Sequence, residues 1–257
     1  DIQARLGSDI AMVLDECLAH PAGVDEVRRS MGLTVRWAGR ARNRLLQLRE
    51  EKVDGVIMTN PGQAQFGIVQ GGVIPDLREE SARETVALGF EAYAIGGLSV
   101  GEPIDLMYEV VSQTTGWLPE NRPRYLMGTG TPEDLVECVA RGIDLFDCVL
   151  PTRNARNGQL FTSQGRINID NARFAEDDGP VDPACGCYTC RNFSRAYLRH
   201  LFNAREMNAG ALNTLHNLNF YLDTIRRIRE AIRFGRFESF RRTFQEQLAA
   251  AGVRDKG

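Results

Sequence analysis

The sequence lacks long apolar runs and a strong excess of either charge. No apolar run in its 257 residues approaches the roughly 20 residues that span a bilayer. No charged start followed by an apolar stretch opens it as a secretory signal would. The 31 basic and 34 acidic residues leave a net charge of −3, so a nucleic-acid partner would have to meet a local patch rather than a global basic field. Histidine is scarce, with only three residues, so each imidazole can be weighed by name as a metal ligand. There is no repeat of fixed period and no low-complexity tract. What is present is an ordinary globular composition, 43% hydrophobic and 25% charged, enough for one large domain or a domain with a small module. Six cysteines occur. With no sign of export, the cluster Cys185-Gly186-Cys187-Tyr188-Thr189-Cys190 reads as metal ligands in the reducing cytoplasm rather than as disulfides.

Along the chain, strand-like and helix-like stretches alternate. Ile10 to Leu14 is an apolar run ending in Asp15-Glu16-Cys17. Val24 to about Leu48 carries a helical stripe of Val27, Met31, Val35, Ala38, Leu45 and Leu48, with arginines on the other face. Val56 to Met58 fits a short strand and Asn60-Pro61-Gly62 a turn. Strands follow at Phe66 to Val69, Phe90 to Ile95 and Arg124 to Met127, with helices from Pro75 to Gly89, from Ile104 to Gln113 and from Thr131 to near Gly142. Thr131 is a good N-cap, and Pro132, Glu133 and Asp134 suit a first helical turn. This order predicts a parallel sheet with crossover helices. The strand tips Asp15-Glu16-Cys17, Gln70-Gly71-Gly72, Gly96-Gly97-Leu98, Gly128-Thr129-Gly130 and Asp147-Cys148 should then meet at one rim. A (β/α)₈ barrel and a doubly wound sheet both place ligands there. A complete barrel needs eight units, and about five are visible, which would put the others before Asp1. The chain does not begin on methionine and its first ten residues lead straight into an apolar strand, as expected of a piece of a longer protein.

The stretch Asp144 to Asn157 carries the most concentrated chemistry. The apolar run Leu145 to Leu150 holds one carboxylate, Asp147, and one thiol, Cys148. Pro151 ends it, and Arg153 and Arg156 follow with no acidic residue between. Such a carboxylate beside cationic residues suits chemistry on an anionic substrate, and it equally suits an ion pair with an arginine. Asp147 could attack an anomeric carbon. Asp15 could pair with a base or sugar, or cap a helix with Glu16. The glycine turn at Gly128 to Asp134 opens a helix and is a possible phosphate site, although its acidic first turn weighs against that.

After Pro151 the pattern changes. Gln159 to Ile169 alternates about Ser163-Gln164-Gly165, which suggests a hairpin. From about Ser194 to Ala250 the chain reads as helices broken near Asn208-Ala209-Gly210 and Phe234-Gly235. Cys185, Cys187 and Cys190 need a fourth ligand for tetrahedral zinc. His216, on a helix that could fold back, is favoured over His200, and four protein ligands make a structural site. Arg226, Arg227, Arg229, Arg233, Arg236, Arg241 and Arg242 make the C-terminal region locally basic, either as a solvated face or as a contact for RNA backbone. Cys17, Cys138 and Cys148 read as buried small apolar residues.

In order, Leu6-Gly7-Ser8-Asp9-Ile10 with Asp15-Glu16-Cys17, Phe66 to Gly71, Tyr93 to Glu102, Tyr125 to Gly130, Phe146 to Gly158 and the cysteine cluster with His216 resemble the tRNA-guanine transglycosylases over essentially the whole chain. The resemblance implies a (β/α)₈ barrel, here its last five or so βα units over residues 1–158, and a zinc-bearing C-terminal subdomain over residues 159–257. It implies exchange of guanine at the tRNA wobble position for a 7-deazaguanine in queuosine biosynthesis, by a homodimer. Asp147 would be the nucleophile on the ribose. Asp15 would read the guanine edge, Gln70 and the Gly97 amide would hold its carbonyl oxygen, Leu98 and Met127 would shape the pocket, and Cys17 would lie beside it. Gly128, Thr129, Gly130, Thr131, Pro132, Glu133 and Asp134, with Thr152, Arg153, Asn154, Ala155 and Arg156, would contact tRNA. Cys185, Cys187, Cys190 and His216 would hold structural zinc. Cys17 and Val100 resemble the bacterial members, which points to the pre-queuosine base. Two departures stand out. Nothing here matches the family segment that supplies a proton-transferring aspartate and a base-stacking aromatic residue, and the stretch Leu48 to Gln65 is about ten residues longer than short connections would require, as a surface excursion. A non-catalytic tRNA-binding subunit of the same family and a barrel glycosidase are the alternatives.

Overall fold

The computed structural model describes residues 1–50 and 55–254, with side chains described up to residue 247. Two compact units emerge, one of residues 1–129 with 137–147, the other of residues 130–136 with 148–257. Helix α6 (Leu150–Arg156) therefore groups with the second unit, although it precedes residue 159.

The first unit is a half-barrel. Strands β1 (Ile10–Met12), β2 (Ala64–Val69), β3 (Ala92–Ile95), β4 (Arg124–Leu126) and β5 (Leu145–Phe146) form one parallel sheet in the order β1-β2-β3-β4-β5. Register pairs Ile68 with Ala94, Ile95 with Leu126 and Leu126 with Phe146. A doubly wound sheet reverses its strand order at a switch point. This one never does, so the winding is that of a barrel. Helices α2 (Val24–Glu50), α3 (Pro75–Ala87) and α4 (Ile104–Trp117) cross between strands, α2 packing on α3 and α3 on α4. The core unites Ile68, Val69, Ala94, Ile95 and Leu126 of the strands with Ala38, Ala82, Met107 and Val111 of the helices. Strands buried on both faces read as near-continuous apolar runs, and β3, Ala-Tyr-Ala-Ile, is buried throughout.

Several local expectations change. Residues 2–6 form a short helix, α1 (Ile2–Leu6), ended by Gly7 in the left-handed region at φ 68°. Val56 makes only an isolated bridge, and residues 51–54 of the long stretch before Gln65 lie outside the described residues. The arginines of α2 do not all face solvent. Arg42 is buried and, with Arg49 and the Gln65 amide, binds the Glu91 carboxylate ahead of β3. Burial opposes charge on Glu91, but those hydrogen bonds outweigh it and hold the carboxyl at about 2. The run Leu145 to Leu150 is not one strand. Pairing stops at Phe146, and Pro151, fixed at a helical φ, opens α6 instead of merely closing a strand.

In the second unit, β6 (Gln159–Thr162) and β7 (Gly165–Asn168) form the expected antiparallel hairpin. A 3₁₀ turn at Ala172–Phe174, α7 (Tyr188–Asn192), α8 (Arg195–Asn203), α9 (Met207–Arg233) and α10 (Phe237–Arg254) follow. The break between α8 and α9 falls at Ala204 to Glu206, not at Asn208 to Gly210. Arg205 takes a left-handed φ of 59°, and the Glu206 amide donates back to Leu201, closing α8 before a glycine is needed. Among the described residues no helix is long and apolar enough to cross a membrane.

Candidate active site and metal centre

The five strand tips of the half-barrel are tied to one another by side chains and backbone. Residues 13–23 form no helix, so Asp15 is not a cap. Its Oδ2 accepts from Gln70 Nε2 at 2.7 Å, joining the β1 and β2 tips. Gln70 is buried and its backbone amide donates to Ser81 Oγ of α3 at 3.0 Å. The β3 tip packs directly on the side-chain carboxamide of Gln70. A Cβ on Gly96 would lie 2.6 Å from Gln70 Nε2 and 3.3 Å from Asp15 Oδ2, and Gly97 holds a left-handed φ of 68° against Gln70 Oε1. Neither position tolerates a side chain. Ser99 Oγ and Thr129 Oγ1, 2.5 Å apart, join β3 to β4. The Gly128 amide donates to Asp147 Oδ1 at 2.8 Å, joining β4 to β5. Asp15, Gln70, Gly97 and Asp147 are thus successive members of one rim.

Asp147 is exposed, at the end of β5. Its Oδ1 also accepts from Tyr125 Oη at 2.6 Å. Among the described residues neither hydrogen-bond partner is an arginine, which removes the ion-pair reading. Burial and the bond to Asp147 push the Tyr125 hydroxyl well above the ordinary phenol range, so it stays a donor. Oδ1 is anchored by two donors, and among the described residues Oδ2 has no hydrogen-bond partner.

Leu98 is buried in the core and Met127 is half-buried against it. Cys17 is exposed, not buried. Its sulfur is nonetheless partly desolvated, which together with the Asp15 charge pushes the thiol up, against the opposing pull of the Gly97 amide and Arg78. Cys138 is fully buried and Cys148 half-buried, with Sγ 3.1 Å from the Gly130 carbonyl oxygen.

Three rim residues escaped the sequence reading. Glu102 accepts from the Ser99 amide at 2.5 Å and the Val100 amide at 3.0 Å, closing the turn after β3. Tyr125 stood inside a quoted motif with nothing to mark its hydroxyl. Arg78 looked like one of many helix arginines, yet it is 1% exposed. Its Nε donates to Gly72 O at 2.7 Å, Nη1 to Val69 O at 3.1 Å and Nη2 to Gly97 O at 3.3 Å. Burial lowers it to about 10, against the opposing charges of Glu102 and Cys17.

In the second unit, ligand atoms of Cys185, Cys187, Cys190 and His216 all lie within 4.8 Å of one another. Sγ of Cys190 is 3.3 Å and Sγ of Cys187 is 3.7 Å from His216 Nδ1. Tetrahedral zinc, with bonds of about 2.3 Å to sulfur and 2.0 Å to nitrogen, separates such atoms by about 3.5 Å. The four residues can therefore hold a metal ion of that kind. His216 is fully buried, and its Nε2 meets the Phe161 carbonyl oxygen at 2.8 Å. That bond places the proton on Nε2 and leaves the Nδ1 lone pair free to bind a metal ion. His200 is exposed on α8 and lies outside the group.

Of the segments expected to touch tRNA, Thr131 and Asp134 cap helix α5 (Pro132–Ala140) from within. The Thr131 amide donates to Asp134 Oδ2 at 2.8 Å and the Asp134 amide to Thr131 Oγ1 at 3.1 Å. Pro132 is buried and Glu133 half-buried. On α6, Arg153 and Arg156 are exposed while Ala155 is buried. Thr152 Oγ1 donates to Val149 O at 3.2 Å and Asn154 Nδ2 to Gln159 Oε1 at 2.9 Å. The C-terminal arginines are partly neutralised in place. Arg226 pairs with Asp223 and Glu230, and Arg227 lies over the Phe240 ring.

Comparison of the sequence with known proteins points to a family. A family profile described as Queuine tRNA-ribosyltransferase matches residues 1–250. The queuine tRNA-ribosyltransferase of Desulfosudis oleivorans is 55% identical over 256 residues, which cover 100% of this chain and 64% of that protein. That of Caldanaerobacter subterraneus is 54% identical over 244 residues, 95% of this chain and 62% of its own length. That of Koribacter versatilis is 53% identical over 233 residues, 91% and 61% respectively. The chain spans less than two thirds of the length of these curated relatives. With a profile match over nearly every residue, the chain belongs to the queuine tRNA-ribosyltransferase family.

Proposed function

We propose that this chain carries the nucleophile and part of the base-binding site of a tRNA-guanine transglycosylase, which exchanges guanine at the wobble position for a 7-deazaguanine, the pre-queuosine base by the resemblance at Cys17 and Val100. The observation that carries the reading is Asp147. An exposed carboxylate fixed through one oxygen by Tyr125 and Gly128 presents the other for attack. It stands on the same rim as the Asp15–Gln70 pair and the Gly96–Gly97 backbone, which are suited to a purine edge.

The chemistry follows from those positions. Oδ2 of Asp147 forms a bond to ribose C1′ as the C1′–N9 bond breaks and its electron pair passes to guanine. Donors from Gln70 and the Gly97 amide to the purine carbonyl oxygen stabilise the charge that develops there. Guanine leaves after gaining a proton. The incoming base loses one, and its nitrogen displaces the carboxylate from C1′. The covalent ester keeps the RNA attached between the two steps. No redox group or nucleotide cofactor is required.

Cys185, Cys187, Cys190 and His216 are assigned to structural zinc. Four protein ligands fill the shell and leave no open position for substrate. Exposed Arg153 and Arg156 on α6 supply cationic contacts for RNA backbone.

The test uses the full-length protein and a tRNA transcript without a replacement base. A denaturation-resistant protein–RNA adduct should form and map to Asp147, and Asp147→Asn should abolish it. An adduct at another residue, or none, overturns the assignment.

A further inference from the structure

Arg78 is the one fully buried arginine of the rim, and the reaction as derived makes no use of it. Among the described residues no carboxylate lies within ion-pair distance of it. Its three hydrogen bonds all go to neutral carbonyl oxygens, Val69 and Gly72 at the β2 tip and Gly97 at the β3 tip. A buried charge with no ion-pair partner in contact is costly, and the Glu102 carboxylate, beyond ion-pair distance, offsets that cost only in part. Holding three carbonyls is a task neutral donors such as asparagine or glutamine can share, so a fixed charge here calls for a further reason. Its place supplies one. A Cβ on Gly97 would meet the Gln70 carboxamide and then Arg78 Nη2 at 3.5 Å, so the guanidinium lies close to both residues assigned to the purine oxygen. The Cys17 thiol also feels its charge.

We propose that Arg78 is a positioning residue whose buried positive charge, fixed against the Gly97 carbonyl and acting through the low-dielectric interior around Gln70 and Gly97, stabilises the negative charge that the departing purine acquires. This rests on the transglycosylase reading. The charge does no work on neutral bound guanine and acts as the C1′–N9 bond breaks, so its effect falls on the rate of base release rather than on binding. Its grip on Val69, Gly72 and Gly97 also sets the backbone geometry at the tips of β2 and β3, and the two roles separate by experiment.

In the full-length protein, single-turnover release of base is measured for tRNA carrying guanine at the wobble position and for tRNA carrying its 8-aza analogue, a more acidic base that needs less help to leave. Arg78→Met should slow guanine release on the order of 10- to 100-fold with tRNA affinity within about twofold of wild type, and should slow release of the 8-aza base markedly less. Arg78→Lys keeps a charge while losing the three-way grip, and should stay within several-fold of wild type on both substrates. Equal losses on the two bases, or a folded Arg78→Lys as slow as Arg78→Met, would overturn the charge role and leave a structural clamp. Should Arg78→Met fail to fold, Arg78→Lys decides alone, a loss beyond about 100-fold counting against the proposal. If the wild-type protein releases no base at all, the transglycosylase reading has failed and this inference falls with it.

Discussion

The side-chain amide of Asn217 donates to the backbone carbonyl of Pro151 at 3.0 Å, so α9, which carries His216 of the candidate metal site, also holds the first turn of α6. Asn217 is fully buried, and the same Nδ2 reaches Gln159 O at 3.0 Å while Oδ1 accepts from the Phe161 amide at 3.1 Å. One turn earlier, Asn213 Nδ2 donates to Ala155 O at 3.3 Å. His216, between them, takes the Phe161 carbonyl. His216 and both grips on α6 are therefore on one face of one helix.

Asn217→Leu should destabilise the protein by about 2–4 kcal/mol, since it removes several buried hydrogen bonds and leaves their backbone partners unsatisfied. Thermal or denaturant unfolding measures this. A loss below about 0.5 kcal/mol would show that α6 is held otherwise.

Tyr125→Phe removes one of two donors to Asp147 Oδ1 and leaves the ring in place. Adduct formation with tRNA should slow on the order of 10-fold, as expected for one hydrogen bond to a charged group, with the affinity for tRNA little changed. Quench-flow measurement of the adduct checks it. An unchanged rate would mean that the Gly128 amide alone fixes the carboxylate.

Cys187→Ser should lower bound zinc from about one ion per chain to well below one, and should loosen the β6–β7 hairpin, because His216 ties the ligand set to Phe161. Elemental analysis and hydrogen exchange of residues 159–168 read the two effects. Full zinc content in the variant would defeat the ligand assignment.

Glu91 makes stability depend on acidity. Its carboxyl is held at about 2 in the folded chain against an ordinary value of 4.5. The folded state therefore prefers the charged form. The stabilisation is complete above the ordinary value and is lost as pH falls from there towards 2. Urea midpoints between pH 6 and 3 should fall more steeply for the wild type than for Glu91→Gln. Parallel curves would show that Glu91 contributes no such term.

Much of this was legible beforehand because parallel strands bury both faces and end in glycine or polar tips, and the tips could be read off in order. Asp15, Gln70, Gly97 and Asp147 fell on one rim as that order required. The boundaries near Asp147 were not legible. Leu145 to Leu150 is apolar throughout, and periodicity alone cannot tell where pairing ends and a proline-led helix begins. Arg42 and Arg78 carry the same letter as the solvated arginines around them. Only the packing shows that one meets Glu91 below the sheet and the other grips carbonyls above it. The exposure of Cys17 was hidden for the converse reason, since residues 13–23 have no regular pattern from which a buried face could be inferred.

The Ser99–Thr129 hydroxyl contact is a direct side-chain bridge between the tips of β3 and β4, and Met107 Sδ lies within hydrogen-bond reach of both hydroxyls. Asp15, Gln70 and Gly97, which would bind the purine edge, lie on one side of it and the carboxylate that would receive the sugar lies on the other. Accommodating a differently shaped base by shifting Gly97 to Ser99 would tug on Thr129, whose neighbour Gly128 steadies Asp147. Selectivity and reactivity in this fold are accordingly poor candidates for separate tuning, and a variant chosen for a new base should carry a second change at residues 128–129 more often than chance.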